Sequence, residues 1–411
     1  MNTEVYVFAD WEEFAEPTLV GSLRSTVNKN KEHFSFTYNE TWLRSSFAQK
    51  IDPDLHLYSG EQHSTDSSNF RIFLDSCPDR WGRLLMKRRE NYIARQENRR
   101  PQLLNEIDYL LGVHDLYRQG ALRFKRELTG EFLDNDQRLA APPMSSLKEL
   151  EYAAQQVEDS NSEDPDYLKW LYMLMSPGSS LGGARPKASV IDDAKHLWIA
   201  KFPSRYDDYD IGAWEYLAHQ LALNAGIHMA PCRIEKFNSH HHTFLTKRFD
   251  RTEKSRLHFT SAMTQLGYYD GEYDASYLEL AQFLTEQGSN TKPDLEQLWR
   301  RIIFNIAISN TDDHLRNHGF IYHHGGWILS PAYDVNPVTP ANGLHLNITD
   351  DDNRLDYDLA MSVIDFFQLR KSTAEKIKAD VLTSVSQWKT TATAIGISRG
   401  EQQLLSAAFN V

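Results

Sequence analysis

Leu295, Leu298, Trp299, Ile302, Ile303 and Ile306 recur at helical spacing, and no other pattern constrains the fold of this chain as strongly. Apolar side chains three and four positions apart share one face of a helix, so this segment must be buried against a sizeable core. The stripe is a packing surface rather than a ligand site. It runs directly into a polar segment, Asn310-Thr311-Asp312-Asp313-His314-Leu315-Arg316-Asn317, which the helix would deliver from a rigid platform. A short hairpin then leads to Ser330-Pro331-Ala332-Tyr333-Asp334-Val335. With 411 residues, the chain can build two or three substantial domains around a real core.

An aspartate, an asparagine five positions on and a second aspartate beyond a hairpin form the acidic half of a phosphoryl-transfer site. In such sites the first carboxylate takes the proton of the attacking hydroxyl, while the asparagine and the later aspartate hold magnesium. Asp312, Asn317 and Asp334 would fill these three roles. Loops after helices are rich in Asp and Asn, so the spacing gains its force from what lies upstream. There, Ser179-Ser180-Leu181-Gly182-Gly183-Ala184-Arg185-Pro186-Lys187 precedes two short strands, Ala188 to Val190 and Leu197 to Phe202. Glycines let backbone N–H groups approach phosphate oxygens, because no Cβ stands in the way. Gly182 and Gly183 would cradle phosphate, and Lys201 in the second strand would grip it, with Glu215 as its ion-pair partner. The plainer readings are a glycine turn and an exposed strand lysine. An ordered set of all these parts is harder to explain that way.

With these residues in view, the chain resembles the HipA-type serine/threonine kinases, the toxin partners of bacterial toxin–antitoxin modules. The resemblance is carried by Gly183-Ala184-Arg185-Pro186-Lys187, by Arg248-Phe249-Asp250-Arg251, by Asn310 to Asn317 and by Pro331-x-Tyr333-Asp334-Val335. It extends to Phe73 to Arg83 and Asp115 to Phe124, and so covers nearly the whole chain. No G-x-G-x-x-G, H-R-D or D-F-G is present, so the pattern is not that of a eukaryotic-type kinase. The resemblance implies an α+β, bilobal protein-kinase-like fold with a β-rich small lobe, a mostly helical large lobe and an additional N-terminal α/β subdomain. The expected division is 1–140, 145–255 and 256–411, with ATP between the two lobes. Asp312 would be the catalytic base, with His314 holding its loop by hydrogen bonds. Asn317 and Asp334 would be the Mg2+ ligands, and Lys187 would add positive charge near the phosphates. Phe249 would pack on adenine, or else be ordinary core, and Asp250 would face the ribose. Ser180 aligns with an autophosphorylated serine of the family, with Ser179 an alternative beside it. Phosphate there would expel the loop meant to hold ATP.

The partners implied are a translation-related protein substrate, such as an aminoacyl-tRNA synthetase, and a helix-turn-helix antitoxin. A small-molecule or lipid kinase, and a regulatory kinase-like module acting with a DNA-binding antitoxin, stand as alternatives. The net charge of −13 argues against broad direct binding to DNA. Lys87-Arg88-Arg89, Arg95 and Arg99-Arg100 form a local basic exception, read as a solvated helix face, with contact to nucleic acid within a larger assembly as the alternative. DNA would then be reached only indirectly, through the antitoxin. Two cysteines suit a reducing cytoplasm rather than a disulfide framework, and no apolar run is long enough to span a membrane. Cytoplasmic is the expected address.

Further elements follow from local pattern. Strands are expected at Glu4 to Phe8, Gly21 to Leu23, His33 to Tyr38 and Gly120 to Lys125, and helices at Trp42 to Gln49, Arg80 to Arg95 and Leu103 to Leu111. Thr129 to Pro143 reads as a connector, and Ser146 with Glu149 as a capping box opening the helix Leu147 to Val157. Ile234 to Phe237 and Thr243 to Phe249 read as a hairpin whose loop holds His240, His241 and His242. Neighbouring turn residues point apart, so this trio reads as an exposed turn rather than a metal site. Asp350-Asp351-Asp352 reads as an acidic surface turn.

Overall fold

The computed structural model describes residues 2–29, 31–65, 69–135, 142–158, 166–174, 185–272 and 274–411. By internal contact the chain divides into two compact units, Met1–Arg205 with Asp250–Thr260, and Tyr206–Phe249 with Ser261–Val411. Among the described residues, no helix is long and apolar enough to cross a membrane.

The first unit contains an antiparallel sheet of β1 (Asn2–Ala9), β2 (Thr18–Asn28), β3 (Lys31–Tyr38), β4 (Glu61–His63) and β5 (Leu122–Lys125), in the order β4-β3-β2-β1-β5. The alternation of a half-buried strand is visible in its register. Val5 lies opposite Leu23, and Leu23 opposite Phe36, all three fully buried. Phe73 and Phe124 pack on the same aromatic layer. Around the sheet run α1 (Glu40–Arg44), α2 (Arg71–Asp75), α3 (Arg80–Gln96) and α4 (Glu106–Leu111), followed by α5 (Leu147–Glu158), α6 (Tyr167–Leu174) and the hairpin β6 (Lys187–Ile191) and β7 (Leu197–Lys201). The helix expected at Trp42 to Gln49 is shorter and starts earlier. Asn39 caps it by accepting the Thr41 N–H at 2.8 Å, and extended backbone at Ser45 ends it. Instead of opening at a capping box, α5 continues from a 3-10 turn at Met144–Ser146. The basic stretch is partly neutralised in place, since Arg99 is paired with Glu90 and Glu97 while Arg88 donates to the Val157 carbonyl.

Segment Asp250–Thr260 joins this unit through buried charge. Asp115 accepts from Arg123 and from Arg256 Nη2, the latter at 3.2 Å, and Arg123 also reaches Asp10 at 3.1 Å. Burial alone would push the Asp115 carboxyl up, but these guanidinium partners hold it below the usual range. A carboxyl depressed in the folded state contributes stability that is complete above its unfolded pKa, about 3.9, and is lost as the pH falls through the native value. The urea midpoint of the protein should therefore drop below about pH 4, and Asp115→Asn should flatten that acid limb while lowering stability near neutrality. An unchanged acid limb in the variant would remove Asp115 from the account.

The second unit is mainly helical: α7 (Ile211–Asn224), α8 (Ala262–Gln265), α9 (Tyr277–Gln287), α10 (Thr291–Ile308), α11 (Tyr357–Ser362), α12 (Lys371–Ser386), α13 (Trp388–Ile395) and α14 (Arg399–Leu404). The expected stripe lies on α10, where all six of its residues are fully buried. Two hairpins belong here, β8 (Cys232–Glu235) with β9 (Thr243–Lys247), and β11 (Gly319–His323) with β12 (Gly326–Leu329); the short strand β10 (Phe259–Ser261) lies between them in sequence. The second hairpin turns through His324 and Gly325, both at positive φ, as a tight two-residue loop requires.

The first hairpin begins two residues earlier than its sequence suggested. Its histidine loop is not simply an exposed turn, because the His242 backbone N–H and ring Nδ1 lie 2.9 and 2.6 Å from the Asp210 carboxylate. Asp210 also caps α7 through the Ala213 N–H. A Cβ at Gly212 would come within 2.2 Å of the His242 carbonyl oxygen, so only glycine permits this approach. Asp350 to Asp352 form a surface turn in which Asp352 pairs with Arg354. Among the described residues, no group of three His, Cys, Asp or Glu is arranged to hold a metal ion.

Candidate active site

Helix α10 ends at Ser309 in the left-handed conformation, which turns the chain sharply into Asn310. Asn310 is buried, its amide donating to Asn305 Oδ1 at 3.0 Å. Two residues on, the Asp312 side chain is exposed while its backbone carbonyl accepts the His314 N–H and Asn317 Nδ2, both at 2.9 Å. The loop closes in a 3-10 turn at Leu315–Asn317, where the Asn317 N–H donates to the His314 carbonyl at 2.8 Å. His314 is half-buried and faces His345, their ring centroids 5.6 Å apart. Burial, and then His314, push the His345 imidazole pKa down.

The orientation of the Asn317 amide matters most for chemistry. With Nδ2 tied to the loop, Oδ1 is left buried and, among the described residues, without a hydrogen-bond partner. An orphaned amide oxygen is the donor that a hard cation takes. Asp334 follows Tyr333 on the loop after β12, half-buried and at φ +56°, a conformation that costs a non-glycine residue energy and collects at functional sites. Tyr333 joins the two loops by donating its hydroxyl to the Arg316 carbonyl at 2.7 Å. Asn317, Tyr333 and Val335 line one small cavity together with Arg301, Asp313 and His318. Phe249 is half-buried, its ring 5.6 Å from Tyr333.

Behind the exposed Asp312 sits a buried polar cluster. Asp313 Oδ2 accepts from Tyr277 Oη at 2.6 Å, from Asn305 Nδ2 at 2.6 Å and from His318 Nε2 at 2.8 Å. Burial would raise this carboxyl, but His318 and Tyr277 together hold it below the usual range. Arg301, 4% exposed, donates to the Ser330 carbonyl, and burial pushes its pKa down to about 10.

The other expected residues divide between the units. Glu215 lies on α7 in the second unit, buried; burial of Cys232, and then the Glu215 charge, push the Cys232 thiol up to about 12. Lys201 ends β7 in the first unit, directly opposite Lys187 on β6. Two of these residues are placed otherwise than expected. Lys187 is 1% exposed and paired with the buried Asp79 carboxylate at 2.6 Å. Asp250 is fully buried, accepting the Gly120 N–H at 2.9 Å and Arg251 Nη1 at 2.8 Å, with no exposed surface for a ribose. Ser179, Ser180, Gly182 and Gly183 lie outside the described residues.

The profile of the HipA-like C-terminal domain matches residues 179–391, more than half of the chain. The chain belongs to that family. A Haemophilus influenzae protein named "Putative kinase" is 27% identical over 185 residues, 40% of this chain and 54% of its own length. A Sinorhizobium fredii protein named "Putative kinase Y4dM" is 33% identical over 157 residues, 35% of this chain and 38% of its own length. The chain thus spans about half or less of these relatives. HipA of Shewanella oneidensis MR-1, solved in complex with HipB and its operator DNA, superposes with a TM-score of 0.64 at 17% identity, over 95% of this chain and 92% of that one. That agreement establishes a shared HipA-like α+β fold.

In this HipA-like chain, sequence reasoning points to Asp312, Asn317 and Asp334 and gives no sign of the buried cluster behind Asp312. Asp313 stands beside Asp312 with no spacing signal to tell them apart. Tyr277, Asn305 and His318 announce themselves only through contact. Arg301 carried one usable sign, a charge within the apolar run of α10.

Proposed function

We propose that this chain is an ATP- and magnesium-dependent serine/threonine protein kinase of HipA type. The observation that carries the reading is the loop in which Asp312 is held outward while the Asn317 oxygen meets no donor among the described residues. An exposed carboxylate on a backbone pinned at both ends is suited to orient a serine or threonine hydroxyl and receive its proton. Asn317 and Asp334 would hold magnesium, an arrangement in keeping with a cation that takes few protein oxygens and completes its shell with phosphates and water. When bound, the ion would neutralise charge on the transferred group. In this proposal Lys201 and the Gly182-Gly183 loop hold the ATP phosphates, Glu215 orients Lys201, and Phe249 is the wall for adenine. His314 steadies the loop. Autophosphorylation at Ser180 would shut the site. The family resemblance supports a translation-related acceptor such as an aminoacyl-tRNA synthetase, and the HipB–DNA complex of the Shewanella protein supports a helix-turn-helix antitoxin partner.

The test is label transfer from Mg-ATP by the purified full chain, alone and with a bacterial lysate. Label should enter a discrete lysate protein and, by mass spectrometry, the Ser179–Ser180 region. Asn317→Ala and Asp334→Asn should each move the magnesium dependence at least about tenfold upward. Label found only in small molecules or lipid would replace the protein acceptor.

A further inference from the structure

Asp313 has no part in the phosphoryl-transfer scheme above, yet it is the most heavily engaged side chain beneath that loop. It is 4% exposed, and one carboxylate oxygen gathers three donors from separate elements: Tyr277 at the start of α9, Asn305 on α10 and His318 beside β11. Two of these donors are tied onward. Asn305 holds Asn310 through its side-chain oxygen, and the Tyr277 N–H donates to the Asn347 carbonyl. His318 follows Asn317 directly, and its carbonyl receives the Ala262 N–H. Residues adjacent in an extended or turning backbone point apart, so a side chain anchored inward at 313 sends its neighbour at 312 outward.

We propose that Asp313 is the positioning residue of this site, fixing the directions of Asp312 on one side and of Asn317, through His318, on the other. This rests on the phosphoryl-transfer reading. The carboxylate is required rather than any polar group. Tyr O–H, amide N–H and imidazole N–H all converge on one oxygen, and charge-assisted bonds are roughly twice as strong as neutral ones. A cluster with every donor met by one anion is stiff, and catalytic groups tolerate little misplacement.

The experiment compares wild type, Asp312→Asn, Asp313→Asn, Tyr277→Phe, the Tyr277→Phe/Asp313→Asn double variant, His318→Gln and His318→Leu as full-length proteins, measuring kcat and KM for ATP. Folded fractions come from thermal melts in the same buffer. Asp313→Asn should lower kcat at least about tenfold per folded molecule with KM within about twofold. His318→Gln keeps an N–H donor near the imidazole Nε2 and should retain most of the rate that His318→Leu loses. Tyr277→Phe should slow the wild type and add little in the Asp313→Asn background, since both act through one oxygen. Full kcat in folded Asp313→Asn, or equal rates in the two His318 variants, overturns the positioning role and leaves the kinase reading intact. Wild type and Asp312→Asn behaving alike would overturn both.

Discussion

Asp312→Asn should cut phosphoryl transfer by about 10²- to 10⁴-fold while leaving folding and nucleotide binding unchanged. The carboxylate is exposed, and the loop is held through the backbone carbonyl of Asp312 rather than its side chain. An isosteric amide keeps that carbonyl, keeps the His314 and Asn317 hydrogen bonds, and removes only the capacity to accept a proton. Exposed substitutions away from caps and networks usually move stability by no more than about 0.5 kcal/mol. The expected signature is therefore a collapse of kcat beside an unchanged melting curve and unchanged binding of a fluorescent ATP analogue. A variant that still transfers at near-normal rate would remove Asp312 from the chemistry. A variant that loses nucleotide binding would make Asp312 part of the phosphate or metal site instead.

The contrast between Asp312 and Asp313 marks where sequence reading stops. Local pattern was enough for the buried stripe of α10, for the short hairpin after the loop, and for a polar loop between them, because each follows from periodicity or turn chemistry within a few residues. Partners far along the chain were not legible. Lys187 meets Asp79 across 108 positions, and Asp250 meets Gly120 across 130. Both residues sit inside family-like motifs, where a ligand role is the natural reading, and the structure buries both against partners distant in sequence. The same limit explains smaller differences. Asn39 starts α1 early because its side chain finds the Thr41 N–H, and His242 is held by Asp210 from another element. The polar cluster of Tyr277, Asn305, Asp313 and His318 is assembled from three stretches of chain, none of which carries a signature alone.

The placement of Lys187 makes the second strong prediction, and it separates structure from catalysis. Asp79 caps α3 by accepting the Gly82 N–H at 2.8 Å, and its other oxygen meets Lys187 at 2.6 Å, with both side chains almost fully buried. Removing one member of a buried pair leaves an uncompensated charge, at a cost of about 3–5 kcal/mol. Lys187→Met keeps the apolar stem and removes only the charge, so it isolates that penalty and should lower the melting temperature by on the order of 10 °C. Burial already pushes the Asp79 carboxyl up, and Lys187 opposes this. Without the lysine the carboxyl rises further. A group whose folded pKa is raised is best tolerated protonated, so the variant should regain stability as the pH falls through that raised value. Adding Asp79→Asn should restore most of the loss at neutral pH, because asparagine is also a good helix cap and carries no charge. If Lys187 instead served phosphates, Lys187→Met would raise KM for ATP at an unchanged melting temperature, and Asp79→Asn would not rescue it.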